Sequence, residues 1–401
     1  MKIGVVGLGY VGLVTAAVLS VHGNEVYGID IDKKKIDALK KGKLPIFEPG
    51  LEDIVFSKNS NIKLSNSYDD LKDADVIFVA VPTPTVNNQI DLSYVFNAAK
   101  SIAKIGKFTI IIRSTVIPGT ARKVMDITGL NVISNPEFMR EGNAIKDTEY
   151  PDRIVIGGKN TEVVEEIWGF TKRPMIITTN ENAELIKYTS NSFLATKISF
   201  INEIANLCEK IPRCDIEIVA KGMGLDPRIG DKFLKAGLGF GGSCFPKDTK
   251  AMVSFADQLG IELSIVKAAI KVNEKRINHV LEMIRNITNE KKILVLGLAF
   301  KENTDDIRES RSLLLINALI ENGFTVKYYD PVVKTDIKIS ERCEDIENCI
   351  KESKVIAIAT EWPIFKNYEK IMDDKIVIDL RRILDSDKIK NYRGVGLGPK
   401  S

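Results

Sequence analysis

Residues 2–30 read KIGVVGLGYVGLVTAAVLSVHGNEVYGID, and this stretch decides the fold. A short apolar strand pattern runs into Gly7-Leu8-Gly9-Tyr10-Val11-Gly12, an apolar helical run follows, and Asp30 ends the next strand pattern 18 residues beyond Gly12. Strand, glycine turn, helix, strand and acid, in that order, predict a dinucleotide-binding unit. Gly7 allows the tight turn, Gly9 lets a pyrophosphate approach the backbone, and Gly12 lets the helix pack closely, while the helix N-terminus attracts the phosphates. Asp30 would accept hydrogen bonds from the ribose hydroxyls and repel a 2′-phosphate, which favours NAD over NADP. Residues 3–21 carry no charge, yet they do not read as a signal peptide or membrane span. Each of the glycines at 4, 7, 9 and 12 would weaken a continuous helix by about 1 kcal/mol relative to alanine, and no basic region beyond Lys2 precedes them.

Outward from this unit, strand patterns (KIGVVG, EVYGID, VIFVAV, FTIIIR, NVISN, RIVIGG) alternate with helical stretches such as KKKIDALKKG and LSYVFNAAKSIAK. Such alternation predicts a mostly parallel, doubly wound sheet. From about Asn180 to Asn289 long amphipathic patterns replace the strands, and a second alternation then runs from KKILVLGLAF through TVKYYDP, KVIAIAT and KIVIDL. The expectation is an α/β protein: two Rossmann-like domains, 1–180 for NAD and 290–401 for a second ligand, joined by a helical region, 181–289, with the active site in the cleft between the two domains. The 401 residues suffice for several cores without disulfides or metals.

Lys+Arg 57 against Asp+Glu 54 leaves a net charge of +3, which gives no reason to expect a nucleic-acid partner. Five cysteines, without C-x-x-C spacing, fit a reducing cytoplasm better than a disulfide framework or a metal site. The two histidines, His22 and His279, lie in no catalytic or zinc motif, so acid/base work would fall to Lys, Asp, Glu or ordered water.

In Gly239-Phe240-Gly241-Gly242-Ser243-Cys244-Phe245-Pro246-Lys247-Asp248, glycines clear space around the thiol and Lys247 adds positive charge, as a nucleophilic cysteine requires. A small buried hydrophobe is the alternative for Cys244, and it is the reading for Cys208, Cys214, Cys343 and Cys349. Val81-Pro82-Thr83-Pro84, Arg113-Ser114-Thr115-Val116-Ile117-Pro118-Gly119 and Asn135-Pro136-Glu137-Phe138-Met139-Arg140-Glu141-Gly142 each follow a strand pattern, where open α/β sheets place ligands. Lys187 and Asn191 are four apart on a helix whose apolar neighbours imply burial, so the ammonium needs partners. Gly297-Leu298-Ala299-Phe300-Lys301 lacks the full glycine triplet and only echoes a phosphate loop. Arg308 could equally be a surface ion pair.

Taken in order, GLGYVG, VPTP, RSTVIPGT, NPEFMREG, IKYTSN, GFGGSCFPKD and GLAFKENTDDIRES resemble the UDP-glucose/GDP-mannose dehydrogenase family, from residue 1 to about 385. The resemblance implies oxidation of a nucleotide sugar's C6 alcohol to a carboxylate with two NAD. It makes Cys244 the nucleophile that forms a thiohemiacetal and then a thioester, with Lys187 and Asn191 on the oxyanion. Asp248 would keep Lys187 charged or position the hydrolytic water, with Thr115 and Glu137 near that water. NAD contacts would come from Gly7, Gly9, Tyr10, Val11, Gly12, Asp30, Lys35, Thr83, Thr115, Glu141, Lys247 and Arg308. The sugar nucleotide would meet Glu137, Phe138, Met139, Arg140, Glu141, Lys187, Asn191, Phe233, Leu234, Lys235, Ala236, Gly237, Gly241 and Lys301, with Arg228 lent to a neighbouring subunit. Lys35 stands where relatives often carry arginine, and Met139 replaces the commoner leucine. No metal is implied.

The runs Phe233–Gly237 and Asp226–Gly230 resemble enzymes acting on UDP-glucose more than those acting on GDP-mannose or UDP-N-acetylmannosamine. A 6-phosphogluconate-type hydroxyacid dehydrogenase, which needs no cysteine, and a non-catalytic NAD-binding protein are the other readings. The apolar helix SFLATKISFINEIANLCEK offers more hydrophobic face than one domain would cover, and relatives dimerise through this region, so a homodimer is expected.

Overall fold

The computed structural model describes residues 1–86 and 89–399, which divide into two compact units, residues 1–190 and a second beginning at Asn191. In the first unit the strands are β1 (Lys2–Val6), β2 (Glu25–Ile29), β3 (Ile62–Ser65), β4 (Val76–Val79), β5 (Thr85–Val86), β6 (Gln89–Ile90), β7 (Thr109–Ile112), β8 (Asn131–Ser134), β9 (Ile154–Gly157) and β10 (Met175–Thr178). All but the β5–β6 hairpin form one sheet in the order β10-β9-β8-β7-β4-β1-β2-β3, parallel except where β8 meets β9. The chain winds outward from β1 in both directions, so the order reverses between β1 and β4, where such sheets open a ligand crevice. Because side chains alternate across a strand, β4 sends Phe78 into one core and Ile77 and Val79 into the other, and β7 splits Ile111 from Ile110 and Ile112 likewise. Two buried faces explain why these strands carry apolar residues at successive positions.

The second unit holds β11 (Lys292–Leu296), β12 (Thr325–Tyr329), β13 (Glu341–Arg342), β14 (Val355–Ile358), β15 (Ile376–Asp379) and β16 (Asn391–Gly394), all parallel, in the order β13-β12-β11-β14-β15-β16. Its first turn repeats that of the first unit. Gly7 N donates to Ile29 O (2.7 Å) and Leu8 N to the Asp30 carboxylate (2.9 Å); Gly297 N donates to Tyr329 O (2.7 Å) and Leu298 N to the Asp330 carboxylate (2.7 Å). The echo seen in GLAFK is thus a true turn of the same kind, but Trp362 Nε1 also donates to Asp330 at 3.1 Å and the carboxylate is buried. The long helices are Asn180–Cys208, which carries both Lys187 and Asn191, Phe245–Gln258, and Ser264–Ile287.

One expectation is corrected. Cys208 pairs with Cys214 (Cα–Cα 5.3 Å) and Cys343 with Cys349 (6.3 Å), which leaves Cys244 as the cysteine outside a disulfide among the described residues. C-x5-C is no recognised spacing, but after Cys208 ends its helix, tight turns at Leu207–Cys214, with Arg213 at φ 63°, fold the chain back within reach. Among the described residues, no helix is long and apolar enough to cross a membrane, and no His/Cys/Asp/Glu group could hold a metal.

Candidate active site

At the end of β1, Gly7 has φ +92° and a Cβ there would lie 2.6 Å from Ala80 O, while one on Gly12 would overlap the Gly7 carbonyl. The fold itself therefore requires both glycines. A Cβ on Gly9 would meet nothing within 4 Å, so the protein leaves room there for a ligand. This fits NAD: an open backbone approach, first-turn amides of the helix Tyr10–Val21 without intrahelical partners, and the buried Asp30 at the end of β2. Lys35 Nζ sits on the Asp30 carboxylate at 2.6 Å, so both residues assigned to the adenosine end share one spot. Thr83 Oγ1 donates to Thr115 O (2.9 Å), joining the ends of β4 and β7. Sequence reasoning missed Glu48. Buried, it accepts from the Tyr10 hydroxyl, from Gly142 N (2.7 Å) and from Ala144 N (2.7 Å), and so ties the glycine loop to the end of NPEFMREG. Burial, then Glu48, push the Tyr10 phenol up.

Beyond β8, Glu137 Oε1 accepts from Lys187 Nζ at 2.8 Å, and both side chains are 5% exposed. Burial would raise the Glu137 carboxyl, but Lys187, Arg113 and the Met139 amide outweigh it and hold it below the ordinary carboxylate value. Arg113 is buried, donates to Asn135 O (3.2 Å) and Oδ1 (2.9 Å), and lies over the Trp168 ring at 4.7 Å. Burial brings its guanidinium down to about 10, against the pull of Glu137. Phe138 carries Arg153 over its ring at 3.7 Å and Lys187 at 5.5 Å, and Arg140 pairs with Asp147. Glu184, one turn before Lys187, was also missed. It accepts from Gly119 N (2.7 Å), Ala121 N (2.8 Å) and Ser134 Oγ (3.2 Å), anchoring the start of the lysine's helix to the start of the helix Thr120–Thr128 and to the end of β8, and burial pushes its carboxyl up to about 7.

In the second unit, Cys244 is exposed at the N-cap of Phe245–Gln258. Asp248, in the first turn and wholly buried, accepts from Asn191 Nδ2 (2.7 Å) and Lys247 Nζ (2.5 Å). Phe233, at φ 63°, opens the run Phe233–Gly237 in a conformation rare for an aromatic, and such outliers gather at functional sites. Arg228 extends into solvent with Asp226 as its ion-pair partner, and Arg308 pairs with Asp306. The first unit thus brings Glu137, Phe138 and Lys187 together, and the second brings Asn191, Lys247 and Asp248 together one helical turn from Cys244; Lys187 and Asn191 lie one turn apart on a single helix.

The NAD binding domain of the UDP-glucose/GDP-mannose dehydrogenase family matches residues 1–169, its central domain residues 181–275 and its UDP binding domain residues 294–386. A UDP-glucose 6-dehydrogenase of Bacillus subtilis (strain 168) is 41% identical, across 97% of this chain and 95% of its own. The UDP-glucose dehydrogenase structure from the hyperthermophilic archaeon Pyrobaculum islandicum aligns with a TM-score of 0.90 at 36% identity, over 99% of this chain and 98% of that one. A UDP-D-ManNAc dehydrogenase from Pyrococcus horikoshii aligns at 0.86 and 29%, over 99% of each chain. With its cofactor turn, its central helices and its second α/β domain all matched in order, the chain belongs to the UDP-glucose/GDP-mannose dehydrogenase family.

Proposed function

We propose that this protein is an NAD-dependent dehydrogenase that oxidises the C6 alcohol of UDP-glucose to the carboxylate of UDP-glucuronate. One observation carries the chemistry: the Cys244 thiol, outside any disulfide, stands exposed at a helix N-terminus, one turn from the buried Asp248 that holds Asn191. Bound NAD supplies the hydride acceptor for each of the two oxidations. Lys187, held by Glu137, and Asn191, held by Asp248, donate to the oxygen at C6 as negative charge develops there. The Cys244 sulfur adds to the C6 aldehyde, the carbonyl electron pair moves to oxygen, and that oxygen takes a proton; the second oxidation gives a thioester, which water cleaves to acid and thiol. Glu137 and Thr115 lie near that water. Overall, one alcohol, two NAD and one water give one carboxylate, two NADH and three protons. Residues 1–180 serve the cofactor, 181–289 catalysis and assembly, and 290–401 the nucleotide. Glu141 and Arg308 complete the NAD contacts, and Leu234, Ala236, Gly241 and Lys301 those to the sugar nucleotide.

Comparing kcat/KM for UDP-glucose, GDP-mannose and UDP-N-acetylmannosamine tests the substrate. A site that hydrogen-bonds an equatorial C2 hydroxyl leaves buried polar groups unpaired when the hydroxyl is axial, so UDP-glucose should lead by at least about tenfold. Preference for either rival would overturn the substrate and keep the chemistry. Counting NADH per sugar separates this reading from a hydroxyacid dehydrogenase, which gives one, and from a non-catalytic NAD-binding protein, which gives none.

Asp30→Ala is expected to raise kcat/KM for NADP and to lower that for NAD by about 10-fold or more, since it removes charge-assisted bonds to the ribose and frees Lys35 for a 2′-phosphate. Steady-state comparison of the two cofactors decides it; wild-type indifference between them refutes the role given to Asp30.

Assembly as a homodimer is supported by Phe193, Phe200 and Leu207, which recur every seven residues on the helix Asn180–Cys208 and are 66%, 46% and 58% exposed. A charge at the centre of that stripe, Phe200→Glu, should halve the sedimenting mass at micromolar concentration. A wild type that already sediments as a monomer contradicts the assignment, and with it the loan of Arg228. A cytoplasmic location is supported by the NAD and nucleotide-sugar requirement, since the paired cysteines no longer argue for a reducing compartment.

A further inference from the structure

Residues 233–244 form neither strand nor helix, and side chains from three helices hold their backbone. Gly237 N donates to Asn202 Oδ1 (2.8 Å), Arg276 Nε to Gly237 O (2.7 Å), and Arg311 Nε to Leu238 O (3.0 Å). At Phe240 the carboxamide of Asn273, on the helix Ser264–Ile287, does what a neighbouring strand would. Its Oδ1 accepts from Phe240 N at 2.8 Å and its Nδ2 donates to Phe240 O at 3.0 Å. Asn273 is buried, and Arg311 donates to its main-chain carbonyl at 2.6 Å. Gly239, at φ +99°, lies so close that a Cβ there would overlap Asn273 Oδ1. The Phe240 ring then meets the edge of Phe245 at 6.2 Å, and Phe245 begins the helix capped by Cys244.

We propose that Asn273 is the positioning residue for Cys244: its two-way pairing with Phe240 fixes the run that delivers the thiol to the aldehyde. The inference rests on the reading of Cys244 as nucleophile. It assigns Asn273 to one step of the reaction. The first oxidation takes a hydride from C6 and a proton from O6 and forms no bond to sulfur. Capture is where the carbon–sulfur bond forms, the carbonyl electron pair moves to oxygen and a proton joins it. Removing the carboxamide leaves two buried backbone groups at Phe240 unsatisfied, so the run shifts there, next to the thiol, while Gly237 and Leu238 keep their bonds to Asn202, Arg276 and Arg311; with UDP-glucose saturating, capture suffers from a misplacement that the first oxidation does not feel.

The test uses the full chain with UDP-glucose, NAD and semicarbazide, which condenses with free aldehyde and releases water. Asn273→Ala should lose about 100-fold in uronate formation, while the single-turnover rate of the first NADH falls by no more than about threefold and semicarbazone accumulates. Asn273→Asp keeps the acceptor for Phe240 N and turns an oxygen toward Phe240 O. It should show the same pattern more weakly, and it serves if the alanine variant does not fold. Cys244→Ala, run alongside, separates the two ideas. If it traps aldehyde while the Asn273 variants lose both NADH-forming steps equally and trap none, the positioning role is overturned alone. If Cys244→Ala makes uronate at the wild-type rate, the nucleophile and its positioning residue are overturned together.

Discussion

Replacing Cys244 by alanine is expected to lower uronate formation by at least about 10³-fold, with one NADH formed per UDP-glucose in place of two and NAD affinity nearly intact. The split follows from the geometry. Cys244 and Asp248 lie in the second unit, at the N-cap and in the first turn of the helix Phe245–Gln258, whereas the glycine turn, Asp30 and Lys35 that fit the cofactor belong to the first. Loss of the thiol therefore leaves those first-unit contacts unchanged. Lys187 and Asn191 keep their carboxylate partners and still support the first oxidation. With no sulfur to hold it, the aldehyde has no covalent route to the acid. Since Cys244 is the cysteine outside a disulfide among the described residues, alkylating the wild type should reproduce the variant, with one equivalent of iodoacetamide incorporated. Full turnover to the acid by Cys244→Ala would remove the covalent step.

What the sequence could reveal about this fold was set by range. Gly7 and Gly12 are legible because the turn they make is local, and β1, β4, β7 and β8 because burial on both faces leaves successive apolar positions along each strand. The short strands β3, β10, β13 and β16 escaped the pattern reading. Two of these, β13 and β16, are edge strands of the second sheet with exposed positions, so the apolar run that marks a central strand is broken. Glu48, Glu184, Asn202, Asn273 and Arg276 carry no motif, and each looks like an ordinary polar residue of a loop or helix. Each nevertheless is buried against backbone groups 33 to 96 positions away. Nothing in a one-dimensional pattern names such a partner. The cysteine pairs illustrate the same limit at short range: the two members of each pair are six positions apart, and only the turn geometry brings the sulfurs together.

Lys187→Met should lower kcat by about 10²- to 10³-fold, the usual loss when an oxyanion donor is removed, and should also destabilise the fold. Methionine keeps the apolar stem and deletes the ammonium, leaving the Glu137 carboxylate buried with Arg113 as its remaining cation. Breaking a buried pair in this way costs about 3 to 5 kcal/mol, and Arg113 places this case at the lower end. The pH dependence follows from the sign of the shift. In the wild type Glu137 lies below its ordinary value of 4.5, so its stabilising contribution is present above that pH and fades as the pH falls through the folded value. Without Lys187, burial drives the carboxyl up, and the variant's deficit is therefore largest near neutral pH and narrows on acidification. Urea unfolding at pH 7 and near pH 4.5 would measure this, and a deficit that widens in acid would contradict it. Adding Glu137→Gln removes the orphaned charge, so the double variant should regain most of the lost stability and none of the lost rate. A double variant that recovered its rate would mean that Lys187 matters only as the partner of Glu137, and that the charge developing at C6 is met by Asn191 without it.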